Sequence, residues 1–204
     1  IPEGVEVIRD YAFKACGMQS ITLPDSLTTI EAYAFVDCLS LQEVTVPAGV
    51  TKIEEGVFYE CTSLKNIKFL GNIVSIEESA FGFCGVENIN LPETLTELGR
   101  NAFYGSNLRK IVIPRGVTEI KPSTFADCEN LETVIFTGEI DKIDSYAFER
   151  AALQSVDLPD SVVSIGSEAF AGTKLKEVRI PRDCTEIGDK AFYESPIEKF
   201  VVAP

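Results

Sequence analysis

One phenylalanine recurs at a fixed place in a 22- or 23-residue unit that fills the chain. Nine of the thirteen Phe residues occupy this place: Phe13, Phe35, Phe58, Phe81, Phe103, Phe125, Phe148, Phe170 and Phe192. A second column, here called the aliphatic ladder, stands five residues earlier: Ile8, Ile30, Ile53, Ile76, Leu98, Ile120, Ile143, Ile165 and Ile187. A unit this short cannot bury its apolar side alone. The repeat therefore predicts a solenoid, in which each coil stacks on its neighbours.

The local pattern within one unit predicts two strands and a turn. Apolar and polar residues alternate towards Val46, which indicates a half-buried strand, and Pro47 ends it because proline donates no backbone hydrogen bond. Residues 50–53 form a second short extended run. Glu54 and Glu55, followed by the ladder Phe, favour one helical turn. Equivalent strands of successive coils are expected to pair in parallel, about 4.8 Å apart.

Units differ in length at one place only, between the position three after the ladder Phe and the next aliphatic residue. Cys61 and Leu64 are three steps apart, whereas Cys84 and Val86 are two steps apart. Insertions are tolerated in surface turns, so this place is predicted to be a turn.

The repeated motif resembles the leucine-rich repeats of the BspA type, which occur in bacterial cell-surface proteins. Residues 23–35 (LPDSLTTIEAYAF) and 158–170 (LPDSVVSIGSEAF) carry the resemblance, and Leu70 and Thr137 replace the proline in two other units. The resemblance implies a β-rich leucine-rich repeat solenoid of the α/β class. We expect about nine repeats, parallel strands and short helical turns. We expect one domain over residues 1–204, a fragment of a longer polypeptide whose capping units lie outside it.

Composition disfavours several classes of partner. The net charge is −14 with a sequence pI near 4.4, and no basic run occurs. Nucleic-acid binding depends on lysine and arginine, so it is disfavoured, as is an acidic membrane surface. No stretch is long and apolar enough to span a bilayer, and no signal peptide is seen. We read the acidic charge as a solubility feature of a thin rod.

Five of the six cysteines share one repeat position and are predicted to be buried and reduced. Other units place Ser, Ala or Thr there, which indicates a small side chain packed inside the stack. No close cysteine pair suggests zinc. Disulfides between neighbouring coils remain an alternative, although parallel side chains rarely adopt the required torsion. The five residues are Cys16, Cys38, Cys61, Cys84 and Cys128.

An enzymatic function is not predicted. The chain contains no histidine, which removes the commonest general base. It also lacks a phosphate-binding glycine loop and a nucleophile elbow. Paired carboxylates such as Glu54 and Glu55 recur at one exposed place, so a solvated face explains them. We predict no catalytic residue, metal or cofactor.

The outward side chains of the main strands form the candidate binding surface. Two columns vary between units while the apolar columns do not, and stacked faces of this kind commonly bind partners. Short polar groups in the middle suit hydrogen bonds to a glycan or peptide, and Val112 and Ile135 adjoin them. An ordinary solvent-facing sheet is the alternative. The candidate ligand-binding residues are Asn66, Lys68, Asn88, Asn90 and Lys110.

The six tyrosines form a second candidate surface because each one flanks a ladder Phe. Tyrosine has an apolar ring and a polar tip, so it suits either an interface or a lid over the edge of a core. We favour the lid.

The leading functional hypothesis follows from the resemblance. It is a non-enzymatic module on a bacterial cell surface that binds a host extracellular protein or glycan, as in adhesion to host or neighbouring cells. The alternative is a structural spacer with no ligand of its own. Extracellular placement also rests on the resemblance.

Overall fold

The computed structural model describes residues 1–202, which coil into a solenoid of parallel strands. Within this range the chain forms fifteen strands and no helix. In chain order the strands are β1 (Val7–Ile8), β2 (Thr29–Ile30), β3 (Glu43–Val46), β4 (Lys52–Ile53), β5 (Asn66–Phe69), β6 (Ser75–Ile76), β7 (Glu97–Leu98), β8 (Lys110–Ile113), β9 (Glu119–Ile120), β10 (Thr133–Phe136), β11 (Lys142–Ile143), β12 (Ser164–Ile165), β13 (Glu177–Ile180), β14 (Glu186–Ile187) and β15 (Lys199–Val202).

The strands form two stacks, one on each side of the coil. Four-residue strands such as β3 and β5 make up the first stack, and Val44 pairs with Ile67 one unit later. Two-residue strands that end at the aliphatic ladder make up the second, and Ile53 pairs with Ile76. Each of these pairings is parallel and joins equivalent residues of neighbouring units. The parallel solenoid predicted from the repeat is confirmed.

The ladder phenylalanines stack ring on ring along the solenoid. Neighbouring ring centroids are 5.2–5.6 Å apart, and the ring planes differ by 3–15°. The rings from Phe35 to Phe170 are fully buried, whereas Phe13 and Phe192 at the two ends are half-buried. Nine rings are joined by eight stacked pairs, so the chain makes about eight turns between the first and the last ladder ring.

The prediction of a helical turn before the ladder Phe is wrong. The residues two before and two after each ladder Phe have a left-handed backbone, as at Gly56 (φ 59°) and Glu60 (φ 58°) around Phe58. Two left-handed residues per unit break the helical repeat. They also direct alternate amides to different partners. Phe58 donates its N–H to Ala80 of the next coil (2.9 Å), whereas Tyr59 donates to Gly56 of its own coil (3.0 Å).

This alternation explains why the turn is not helical. A helical turn satisfies its amides internally and leaves none for the neighbouring coil. Here every second amide of the turn links two coils. Among residues 1–202, fifteen of the nineteen residues with positive φ are not glycine, although this conformation disfavours side chains. We infer that the hydrogen bonds between coils compensate for that cost.

The cysteine column supplies hydrogen-bond donors as well as small side chains. The Cys61 thiol donates to the carbonyl of Phe35 in the preceding coil (3.1 Å), and Cys38 and Cys128 make the equivalent bond at 3.0 Å. At this position of another coil, the Ser195 hydroxyl donates to Phe170 (2.7 Å). Cys and Ser therefore share a role at this position, because both donate a hydrogen bond to the carbonyl of a ladder Phe. Small size alone does not explain that preference.

The cysteines also differ in their exposure. All six are free thiols; Cys16 and Cys184 are half-buried, and the other four are buried. Burial raises the pKa of the Cys84 and Cys128 thiols to about 12.

Candidate functional site

The outward side chains of the four-residue strands and their equivalents form one exposed surface, here called the strand face. Its first column holds one outward residue from each coil, from Ser20 to Lys199. Its second column holds the residue two positions later in each coil. Because successive strand residues point to opposite sides, the two columns point outward while the residue between them packs inward, except in the last coil, where Phe200 is exposed. All five predicted ligand-binding residues are exposed on this face: Asn66, Lys68, Asn88, Asn90 and Lys110.

The strand face contains an open concavity of about 780 Å³, here called the strand groove. Four of the five predicted residues line it, whereas Lys110 lies outside its lining. The first two coils also contribute polar side chains that the prediction omitted, although they belong to the same columns. These additional outward residues are Ser20, Thr22, Glu43 and Thr45, with Asp25 and Leu70 also in the lining.

The groove spans a break in the strand ladder. On one side β3 and β5 pair over four residues, and Thr45 stands opposite Lys68. On the other side, residues 88–90 touch the next coil through one bridge, between Asn88 and Lys110. Over residues 1–202, no strand pairing joins β5 to residues 88–90. Backbone polar groups at the break are therefore free of ladder partners on that side.

Turn length correlates with these breaks. On the strand face, the central inward residues of successive coils lie either 22 or 23 positions apart in the sequence. At all three spacings of 23 residues, the two neighbouring coils are joined by a strand pairing or a bridge, as from Val44 to Ile67. Three of the five 22-residue spacings are not paired in the described chain, among them that from Ile67 to Ile89. An extra turn residue, such as Ser63, is therefore found where neighbouring coils are paired on the strand face.

Polar side chains in the groove have no side-chain partners among residues 1–202. Within residues 1–202, the amides of Asn66, Asn88 and Asn90 make no side-chain hydrogen bond, and Lys68 forms no ion pair. The far end of the same face differs. There, Arg179 pairs with Asp160 at 2.6 Å, and Lys199 pairs with Glu177 at 3.2 Å. Amide and ammonium groups that the protein leaves unpaired are available to a ligand.

The tyrosines form a second set of polar tips near the ladder. The Tyr104 hydroxyl donates to Asp127 (2.6 Å), and the Tyr33 hydroxyl donates to Glu55. These hydrogen bonds to carboxylates raise the pKa of each hydroxyl to about 12. The Tyr33 ring packs over Gly56 of the next coil, and the Tyr104 hydroxyl reaches Asp127 of the next coil, whereas Tyr11, Tyr146 and Tyr193 are exposed. The lid stays a prediction.

Other types of site were sought in the same range. No group of three or more His, Cys, Asp and Glu side chains in residues 1–202 is arranged to hold a metal ion. That range also contains no helix with the length and hydrophobicity of a membrane span.

The family of the chain follows from its repeats. The model of the BspA type leucine-rich repeat region, with six copies, matches residues 1–109 and 96–204. The chain therefore belongs to the BspA-type leucine-rich repeat family. Proteins of this family are built from repeats that serve as binding or structural modules, generally without catalysis.

Solved bacterial structures share the fold. The pneumococcal vaccine antigen PcpA superposes with a TM-score of 0.68 at 20% identity, over 100% of this chain and 61% of that one. A leucine-rich repeat protein from Bacteroides ovatus gives 0.65 at 26% identity, over 92% and 55%. The T. pallidum leucine-rich repeat protein gives 0.65 at 26% identity, over 84% and 72%. No curated protein matches the chain.

All three of these proteins are longer than this chain. The chain spans 61% of PcpA and 55% of the Bacteroides ovatus protein.

Proposed function

We propose that this chain is a binding module of a bacterial surface protein and that the strand groove holds its ligand, a host extracellular protein or glycan. The unpaired polar side chains of the groove carry the proposal. Exposed Asn66, Asn88 and Asn90 each offer a donor and an acceptor, and Lys68 adds a charge. A ligand replaces water at such groups without breaking bonds inside the protein.

The family and its relatives support a surface location. The family resemblance is to bacterial cell-surface proteins, and the fold recurs in a vaccine antigen of pneumococcus. A leucine-rich cell surface protein of Faecalibacterium prausnitzii has the same fold, with a TM-score of 0.53 at 22% identity. Adhesion to host or neighbouring cells is the role proposed for such a module.

A structural spacer is the second candidate, and the continuous ring stack favours it. Eight stacked phenylalanine pairs run along the solenoid and order it without any ligand. A spacer and an adhesin differ in whether the groove side chains matter for binding.

The test is a solid-phase binding panel of extracellular-matrix proteins, mucins and glycans at physiological salt. The test variant replaces Asn66, Asn88 and Asn90 with alanine. The matched control replaces Thr133, Ser155 and Asp157, which are exposed on later coils of the same face, also with alanine. We expect saturable binding that the test variant loses and the control retains. Equal binding by both variants would move the site elsewhere, and a blank across the panel would favour the spacer.

A further inference from the structure

Phe83 is an anomaly in its repeat column. The position two after the ladder Phe holds small or charged residues in the other eight units, and Phe83 is the column's one large apolar side chain. Its backbone is left-handed (φ 52°), which a bulky residue rarely adopts, and its side chain is 40% exposed. An exposed aromatic ring in a column of small or charged side chains is unusual within this repeat, and it calls for a reason.

Neighbouring coils hold this ring in one orientation. The rings of Tyr59 and Tyr104 stand nearly perpendicular to it, at centroid distances of 5.7 and 5.1 Å and interplanar angles of 89° and 81°. Gly105 makes room beneath it, since a Cβ there would lie 2.7 Å from two carbons of the ring. The Phe83 ring is therefore a fixed apolar surface.

The ring borders an open depression of about 330 Å³ on the turn side of the solenoid, here called the Phe83 pocket. The other walls are polar, and this pocket shares no residue with the strand groove. The lining residues are Phe83, Gly105, Ser106, Asn107, Asp127, Glu129, Asn130 and Arg150.

Asp127 organises the polar wall. One of its carboxylate oxygens accepts the Tyr104 hydroxyl at 2.6 Å. The other oxygen is buried and has no hydrogen bond within residues 1–202, but the Arg150 guanidinium lies 3.1 Å away. Arg150 also reaches towards Glu129 at 3.8 Å. Asp127 therefore positions Arg150, whose exposed guanidinium faces the pocket together with the exposed carboxylate of Glu129 and the Asn107 and Asn130 amides.

The chemistry of these walls selects one class of ligand. A pyranose has an apolar C–H face that packs on an aromatic ring, and hydroxyls that both donate and accept. Asn107 and Asn130 match those hydroxyls because an amide does both. A phosphate is disfavoured because Asp127 and Glu129 repel it and already neutralise Arg150. The small volume suits one or two sugar units.

We propose that the Phe83 pocket is a binding subsite for a neutral pyranose sugar. It is independent of the strand groove. The Phe83 pocket would therefore still bind a sugar if the strand groove had no ligand.

The experiment uses the methyl glycosides of glucose, galactose, mannose and N-acetylglucosamine as probes, with amide NMR of the labelled protein. We expect at least one probe to shift the signals of Gly105, Asn107 and Asn130 in a saturable way, and the signals of Asn66 and Asn88 report the strand groove separately. Phe83→Gly removes the stacking ring and is expected to weaken binding roughly tenfold. Its backbone is already in a conformation that glycine adopts freely, so we expect the fold to persist.

Glu60→Gly is the matched control, since it places glycine at the same column one coil earlier, outside the pocket. It is expected to bind as the unsubstituted protein does. Asn130→Ala, which removes an exposed amide and no internal bond, is expected to weaken binding severalfold and gives a second readout if Phe83→Gly misfolds. Absence of saturable shifts with all four glycosides overturns the proposal, as does unchanged affinity in folded Phe83→Gly.

Discussion

The turn that carries the ladder Phe and the strand face differ in continuity. Along the turn, each ladder ring stacks on the next and alternate amides cross to the neighbouring coil, as from Phe103 to Thr124 (2.9 Å). Along the strand face, pairing stops after β5 and again after β10. The turn therefore holds the stack together. The strand face is relieved of that role, so its outward side chains can vary and its backbone can open into a groove.

The first prediction addresses the turn and carries the largest expected effect. Phe103 is fully buried between Phe81 (5.3 Å) and Phe125 (5.6 Å). Phe103→Ala leaves a cavity inside the stack, so we expect it to lower the free energy of unfolding by about 3–5 kcal/mol. Urea denaturation followed by circular dichroism measures this.

Phe13→Ala is the control for that prediction. Phe13 is half-buried and stacks on one ladder neighbour, so its loss should cost clearly less. Equal costs at Phe13 and Phe103 would contradict the view that the stacked turn carries the stability.

The second prediction uses the thiols that belong to the same turn. Burial raises the pKa of Cys84 and Cys128 to about 12, whereas an unfolded thiol titrates near pH 9. Below about pH 9 both states keep the proton, and the full stability is present. Above it the unfolded chain loses protons first, so stability falls by up to about 1.4 kcal/mol per pH unit and thiol until about pH 12.

Replacing Cys84 and Cys128 together with serine tests this, since serine occupies the same place in other units. Between about pH 8 and about pH 10, the double variant should lose about 2–3 kcal/mol less than the unsubstituted protein. Urea unfolding at the two pH values measures the difference. Parallel losses in the two proteins would refute the linkage to these thiols.

The third prediction compares one substitution in the two regions and carries the smallest effect. Ser79 is left-handed (φ 55°) in the turn, whereas Thr133 is extended in β10 on the strand face. Glycine relieves the left-handed conformation but weakens a strand. We therefore expect Ser79→Gly to stabilise the fold by about 0.5–1 kcal/mol and Thr133→Gly to destabilise it by a similar amount. Thermal unfolding measures both, and shifts of the same sign would undermine the contrast.

The architecture could be predicted from the sequence because the fixed period stacks equivalent residues of neighbouring coils. The period places Phe58 above Phe35, and strict alternation around Val44 sends Glu43 and Thr45 outward. Stacking equivalent residues leaves one parallel register, so the ladders, the strands and the outward columns followed. Four of the five predicted site residues line the groove for the same reason.

Other features depend on how far apart the coils lie, which no single unit encodes. The left-handed turn arises because every second amide must reach the next coil, as Phe58 reaches Ala80. The ladder break beside Asn88 and the perpendicular rings around Phe83 also involve residues about 22 positions apart. Local sequence thus determined which side chains face inward and outward. Only the spacing between stacked backbones decided which amides pair, where the strands separate and what each opening can hold.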